Sequence, residues 1–92
     1  MQTQQYKMVR VTGDGGVCSE GRIMRVILFG GTNATSIILT GTATLDVNTP
    51  ANTSIDLDFT KLGGIWFDTD VEADITGTNA VALIFCDAGA HV

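Results

Sequence analysis

The stretch Ser54-Ile55-Asp56-Leu57-Asp58-Phe59-Thr60 decides the fold class. Ile55, Leu57 and Phe59 alternate with Ser54, Asp56, Asp58 and Thr60, and this two-residue period lays apolar side chains on one side of an extended chain and polar ones on the other. A helix would scatter both sets around its circumference, and a strand slipped by one residue would bury two aspartates. The segment therefore reads as a β-strand with one covered face and one wet face.

The same pattern continues outward in both directions. Strands are expected at about 6–12, 22–29, 36–40, 44–47, 54–60, 65–68, 71–76 and 81–86, separated by Gly, Asn, Asp and Pro. Gly13-Asp14-Gly15-Gly16 reads as a loop, because its glycines reach positive φ without steric cost, and Gly30-Gly31-Thr32-Asn33 reads as a hairpin connection. Pro50, with a fixed φ and no amide donor, turns the chain within 48–52, and Gly77-Thr78-Asn79 marks another turn. Strands 22–29 and 36–40 are apolar on both faces and are expected to be central. In 81–86, Ala82, Ile84 and Cys86 share one side while Val81, Leu83 and Phe85 share the other, so burial on both sides is expected.

Thirteen Thr, eight Val and eight Ile suit the pleated surface of strands and disfavour helix interiors. No window keeps a 3.6-residue apolar period beyond two turns. Short strands without a crossover helix pair antiparallel and need a second sheet to cover them. The expected architecture is all-β: one antiparallel β-sandwich, jelly-roll-like, of seven or eight short strands. It spans residues 1–92 as a single domain, with an N-terminal arm at 1–5 and a C-terminal tail at 88–92.

Charged residues are only 16% of the chain against 45% apolar, well below the roughly 25% charge content of ordinary soluble domains, which leaves surface suited to protein contact. No run of about 18 apolar residues is present, so no membrane helix and no membrane partner are expected. Met1 to Gln5 lacks the basic and apolar regions of a signal peptide, so synthesis in a cytoplasm is expected. Residues 1–25 carry a net +2 and the remainder −7. A pI near 4.3 argues against nucleic acid, which requires clustered cations, and favours an acidic surface meeting a basic face on another subunit.

Cys18 and Cys86 have no CxxC spacing and no His neighbour, so neither zinc nor a redox motif is indicated. Two free thiols are the leading expectation, and a disulfide joining the first and last thirds is the alternative. Asp68, Asp70, Glu72 and Asp74 form the one stretch in which a calcium ion, which takes six to eight oxygens, would be sought. The EF-hand pattern fails there, since Ala73 stands where the loop Gly belongs and Asn79 where the bidentate Glu belongs. A solvated or partner-facing acidic strand is the commoner case, and no metal or other cofactor is expected.

Four clustered carboxylates repel unless a basic surface compensates, and Arg22 and Arg25 are the candidates, within the subunit or across to a neighbour. No enzymatic activity is expected. His91 stands next to the last residue, and Asp56 and Asp58 lie on an exposed face with no implied cleft. Trp66 points opposite to Ile65 and Phe67, so one of the two sides exposes large apolar surface unless both are covered. The residues expected to meet neighbours are Tyr6, Arg22, Arg25, Trp66, Asp70 and Glu72.

Gly21-Arg22-Ile23-Met24-Arg25-Val26-Ile27-Leu28-Phe29-Gly30-Gly31-Thr32, then Asp56-Leu57-Asp58-Phe59, Gly64-Ile65 and Ile75-Thr76-Gly77-Thr78-Asn79-Ala80-Val81, resemble the small β-sandwich virion proteins of tailed bacteriophages. The similarity covers roughly residues 17–86. It implies a capsid decoration or cement protein on the outer capsid surface, bound to the major capsid protein in symmetric homo-oligomers, commonly trimers. A tail, baseplate or head-fibre component is the nearest rival. From a different class, a carbohydrate- or calcium-binding module using the acids of 68–74 is the second alternative.

Overall fold

Alternating side chains can cover only one face of a strand with each layer, so a chain built of such strands closes by stacking two sheets. The computed structural model describes residues 7–18 and 21–88. Its strands, in chain order, are β1 (Lys7–Val11), β2 (Gly15–Cys18), β3 (Gly21–Phe29), β4 (Thr35–Thr40), β5 (Thr44–Thr49), β6 (Ser54–Asp58), β7 (Ile65–Phe67), β8 (Val71–Thr76) and β9 (Val81–Ala88). A single 3-10 turn, Thr60–Leu62, separates β6 from β7.

The first sheet has the order β1-β9-β3-β6, with β7 also on β3, and the second has the order β2-β8-β4-β5; every pairing is antiparallel. Strands β6 and β7 lie end to end along β3, against Arg25–Phe29 and Gly21–Ile23 respectively. Nine segments thus fill eight strand positions, and the chain crosses between the sheets at every connection except β4–β5 and β6–β7, in the jelly-roll manner. The expected all-β sandwich is the observed one.

Between the sheets lie Ile23, Val26, Leu28, Ile37, Leu39, Phe67, Val71 and Ile84, all fully buried. Each contributes roughly 1.5–3 kcal/mol by leaving water. Strand β6 behaves as its alternation predicts: Ile55 and Leu57 are half-buried at the sheet edge while Asp56 and Asp58 are exposed. It ends at Asp58, because Phe59 turns into the 3-10 segment instead of continuing to Thr60.

Three local expectations are corrected. Gly15 and Gly16 are not loop residues but the start of β2, held by pairing with Ala73 and Glu72 of β8. The 30–34 segment is not a hairpin, because β3 and β4 belong to different sheets. It crosses between layers where Gly30 N–H donates to Thr53 O (2.7 Å), Asn52 N–H to Gly31 O (2.8 Å) and Thr32 N–H to Thr78 O (3.1 Å). A side chain at Gly31 would meet the Thr78 carbonyl oxygen at 1.6 Å, so only glycine permits this approach. Finally, β9 is covered on one side only: Ala82, Ile84 and Cys86 are buried, whereas Val81, Leu83 and Phe85 face outward, half-exposed.

Candidate functional site

A two-layer sandwich leaves the outer face of each sheet uncovered, and in most such proteins those faces are polar. The outer face of the first sheet is not. Register places Met8 beside Phe85, Phe85 beside Arg25, and Arg25 beside Asp58; the next row is Arg10, Leu83, Ile27 and Asp56. Phe29 follows, paired with Val81 and Ser54, and at the opposite end Trp66 pairs with Arg22, which pairs with Asp87. Met8, Phe29 and Trp66 are 53%, 41% and 52% exposed.

Strict alternation would send Arg22 and Arg25, three residues apart, to opposite faces. A register shift between Ile23 and Arg25 inserts Met24 as an extra residue, and that bulge turns both arginines outward. Met24 itself is buried. Its carbonyl accepts the Phe59 N–H at 2.8 Å, and its sulfur packs so near Gly64 that a Cβ there would stand 2.6 Å away.

Four of the charges on this face are joined as two ion pairs. Arg25 reaches Asp56 with two donors, Nε–H at 2.9 Å and a terminal NH2, and its guanidinium lies 5.9 Å from the centre of the Phe85 ring. The hydrogen bond from Arg25 holds the Asp56 carboxyl below its usual range and in turn raises Arg25. Asp58 is also lowered, by the Thr60 hydroxyl at 2.6 Å and the Thr60 N–H at 2.9 Å. Arg22 pairs with Asp87 and donates to Gly63 O at 3.3 Å, while its Nε is buried without an acceptor. Arg10, Arg22 and Arg25 thus balance Asp56, Asp58 and Asp87.

The outer face of the second sheet is built differently. Thr76, Asp74 and Glu72 of β8 stand beside Ser36, Ile38 and Thr40 of β4, which stand beside Asn48, Asp46 and Thr44 of β5. Its charges are all acidic. Asp74 lies against Asp14, whose charge and hydrogen bond push the Asp74 carboxyl upward; Asp14 also accepts the Ile75 N–H at 3.2 Å.

The structure brings Arg22, Arg25 and Trp66 together on the first face and leaves Asp70 and Glu72 elsewhere, at the start of β8. Neither arginine pairs with the 68–74 acids; their partners are Asp87 and Asp56. Asp68 and Asp70 lie in the turn before β8, while Glu72 and Asp74 project outward from it. Among the described residues no three His, Cys, Asp or Glu side chains converge as metal ligands would. Tyr6 and His91 lie outside the described residues. No protein-family model, curated protein or solved structure matches the chain.

Sequence reasoning left Met8, Ile27, Leu83 and Phe85 out of the candidate surface. A signal was present: a strand apolar on both sides, inside a fold with only two layers, must turn one apolar side outward.

Proposed function

We propose that this chain is a structural subunit of a tailed-phage virion, a decoration or cement protein that sits on the outer capsid surface and stabilises the shell. It docks the outer face of its first sheet on the major capsid protein, as a symmetric homo-oligomer of the kind the resemblance implies. The observation that carries the docking reading is the outward-facing, half-buried Phe85, Leu83 and Ile27 with exposed Met8 and Phe29 beside them and exposed Trp66 at the opposite end, flanked by charges already matched as Arg25–Asp56 and Arg22–Asp87.

Large contiguous apolar patches on small domains mark contact surfaces, and aromatic and arginine side chains are the types that anchor them. Size supports the reading too. The molecule measures 42 × 25 × 18 Å, so its broad side, on the order of 1,000 Å², can supply the roughly 800 Å² per partner of a standard interface. Arginines that already carry their counter-charge lose less on docking than unpaired ones would, since burying an unpaired charge costs more than burying a pair. Binding of this kind adds free energy to the assembled shell by mass action.

The test uses shells assembled without the chain. Adding the purified protein is expected to give saturable co-sedimentation and a higher temperature for shell disruption, with Leu83→Glu failing on both counts. A wild-type chain that neither binds nor stabilises shells overturns the virion reading, and a Leu83→Glu chain that binds normally overturns the choice of face.

A further inference from the structure

We infer that Cys18 and Cys86 are a latent inter-sheet staple, which a small-molecule disulfide of the glutathione class closes into an intramolecular disulfide bond. The two residues are 68 positions apart and belong to different sheets, Cys18 ending β2 and Cys86 lying within β9. Cα atoms of β2 and β9 come within 8 Å of one another. Cys86 is fully buried in the core, and Cys18 packs against that same core half-buried. Cys18 is near enough for its charge to raise the Cys86 thiol.

The two sulfurs have unequal access, which sets the order of events. Cys18 lines a shallow surface cleft of about 300 Å³ together with Lys7, Asp70 and Glu72. Lys7 sits directly across β1–β9 from Cys86, so the cleft that exposes Cys18 lies beside the strand position of Cys86. Burial, reinforced by Cys18, pushes the Cys86 thiol up to about 12, so it stays protonated near neutrality and does not react first.

Cys18 Sγ, after losing its proton to water, attacks one sulfur of the external disulfide. A mixed disulfide forms on Cys18 and one thiolate leaves, taking up a proton. Cys86 then gives up its proton and attacks the Cys18 sulfur, expelling the second thiolate, which is protonated in turn. The external disulfide is reduced to two thiols while the two cysteines are oxidised to one S–S bond. Closure joins the sheets through a loop of about three quarters of the chain, and long loops are where a crosslink restricts the unfolded ensemble most. The subunit therefore folds as a dithiol where reductant is in excess and tightens where disulfide prevails. None of this depends on the proposed virion role.

The experiment treats the purified full chain with oxidised glutathione and follows intact mass, thiol titration and thermal unfolding. The expected product has lost two hydrogens and both titratable thiols, carries no glutathione, and yields a Cys18–Cys86 crosslinked peptide. Its unfolding midpoint rises by about 10–20 °C and returns with dithiothreitol. Cys86→Ala should stop at one glutathione on Cys18, and Cys18→Ser should take up none on the folded chain. A wild-type chain that keeps two thiols, stops as a mixed disulfide, crosslinks between chains or unfolds at a lower temperature once oxidised overturns the inference.

Discussion

The two outer faces are made from the same strand type by the same alternation, yet they present opposite surfaces. On the first sheet, Ile27, Leu83 and Phe85 occupy the middle of the face, and its charges are equal in number, four of them joined as Arg22–Asp87 and Arg25–Asp56. On the second, Ile38 stands alone among Thr, Ser and Asn, with Asp46, Glu72 and Asp74 all of one sign. A surface that only needed to be soluble would resemble the second on both sides. On the proposed reading the first face is the one that meets protein, and the acidic one is the face that keeps a chain of net charge −5 dispersed.

The comparison breaks most sharply if charge is forced into the apolar face. Ile27→Glu combined with Leu83→Glu should weaken shell binding roughly a thousandfold, measured by sedimentation, since buried unpaired carboxylates at an interface centre cost about 4 kcal/mol or more. Ile38→Glu, the same change on the other face, should leave binding within about twofold.

Adjacent residues on β7 sharpen the contrast between outside and inside. Phe67 is fully buried, so Phe67→Ala should cost about 3–5 kcal/mol in denaturant unfolding. Trp66→Ala should change stability by less than about 0.5 kcal/mol but weaken shell binding about tenfold to thirtyfold, the pattern of an anchor that works only in the complex.

Much of this was readable from sequence, and the reasons for the gaps are physical. The alternation at Ser54–Asp58 and the apolar runs in β3, β4 and β9 report which residues turn inward, because burial demands it. Strand β2 was not readable: Gly15 and Gly16 have no strand preference of their own and become extended only because β8 lies beside them. The crossing at Gly30 and Gly31 looked like a hairpin because glycine pairs serve both purposes, and sheet membership depends on distant edges. Arg22 and Trp66, each expected to meet a neighbour, stand side by side on the first face. That Arg25 joins them depends on the Met24 bulge, which alternation alone would have denied.

The smallest effects are in the carboxylates, where the faces respond to acid in opposite directions. Asp56 and Asp58 are held below the usual value near 3.8, so their contribution is present above that pH and is lost as pH falls through their lowered native values. Asp74 is held above 3.8 by Asp14, so its contribution is unfavourable at neutral pH and is relieved as pH falls through its raised native value toward 3.8. NMR titration should show these shifts directly. At pH 7, Asp74→Asn should raise the unfolding midpoint by about 1–2 °C, and Asp56→Asn should lower it by a similar amount.

Hydroxyl-radical footprinting of the chain, free and bound to shells, tests the central claim most directly. Binding is predicted to protect Met8, Trp66 and Phe85 while Ile38 stays as reactive as in the free chain. Protection of Ile38 with Met8, Trp66 and Phe85 still fully reactive would contradict the account.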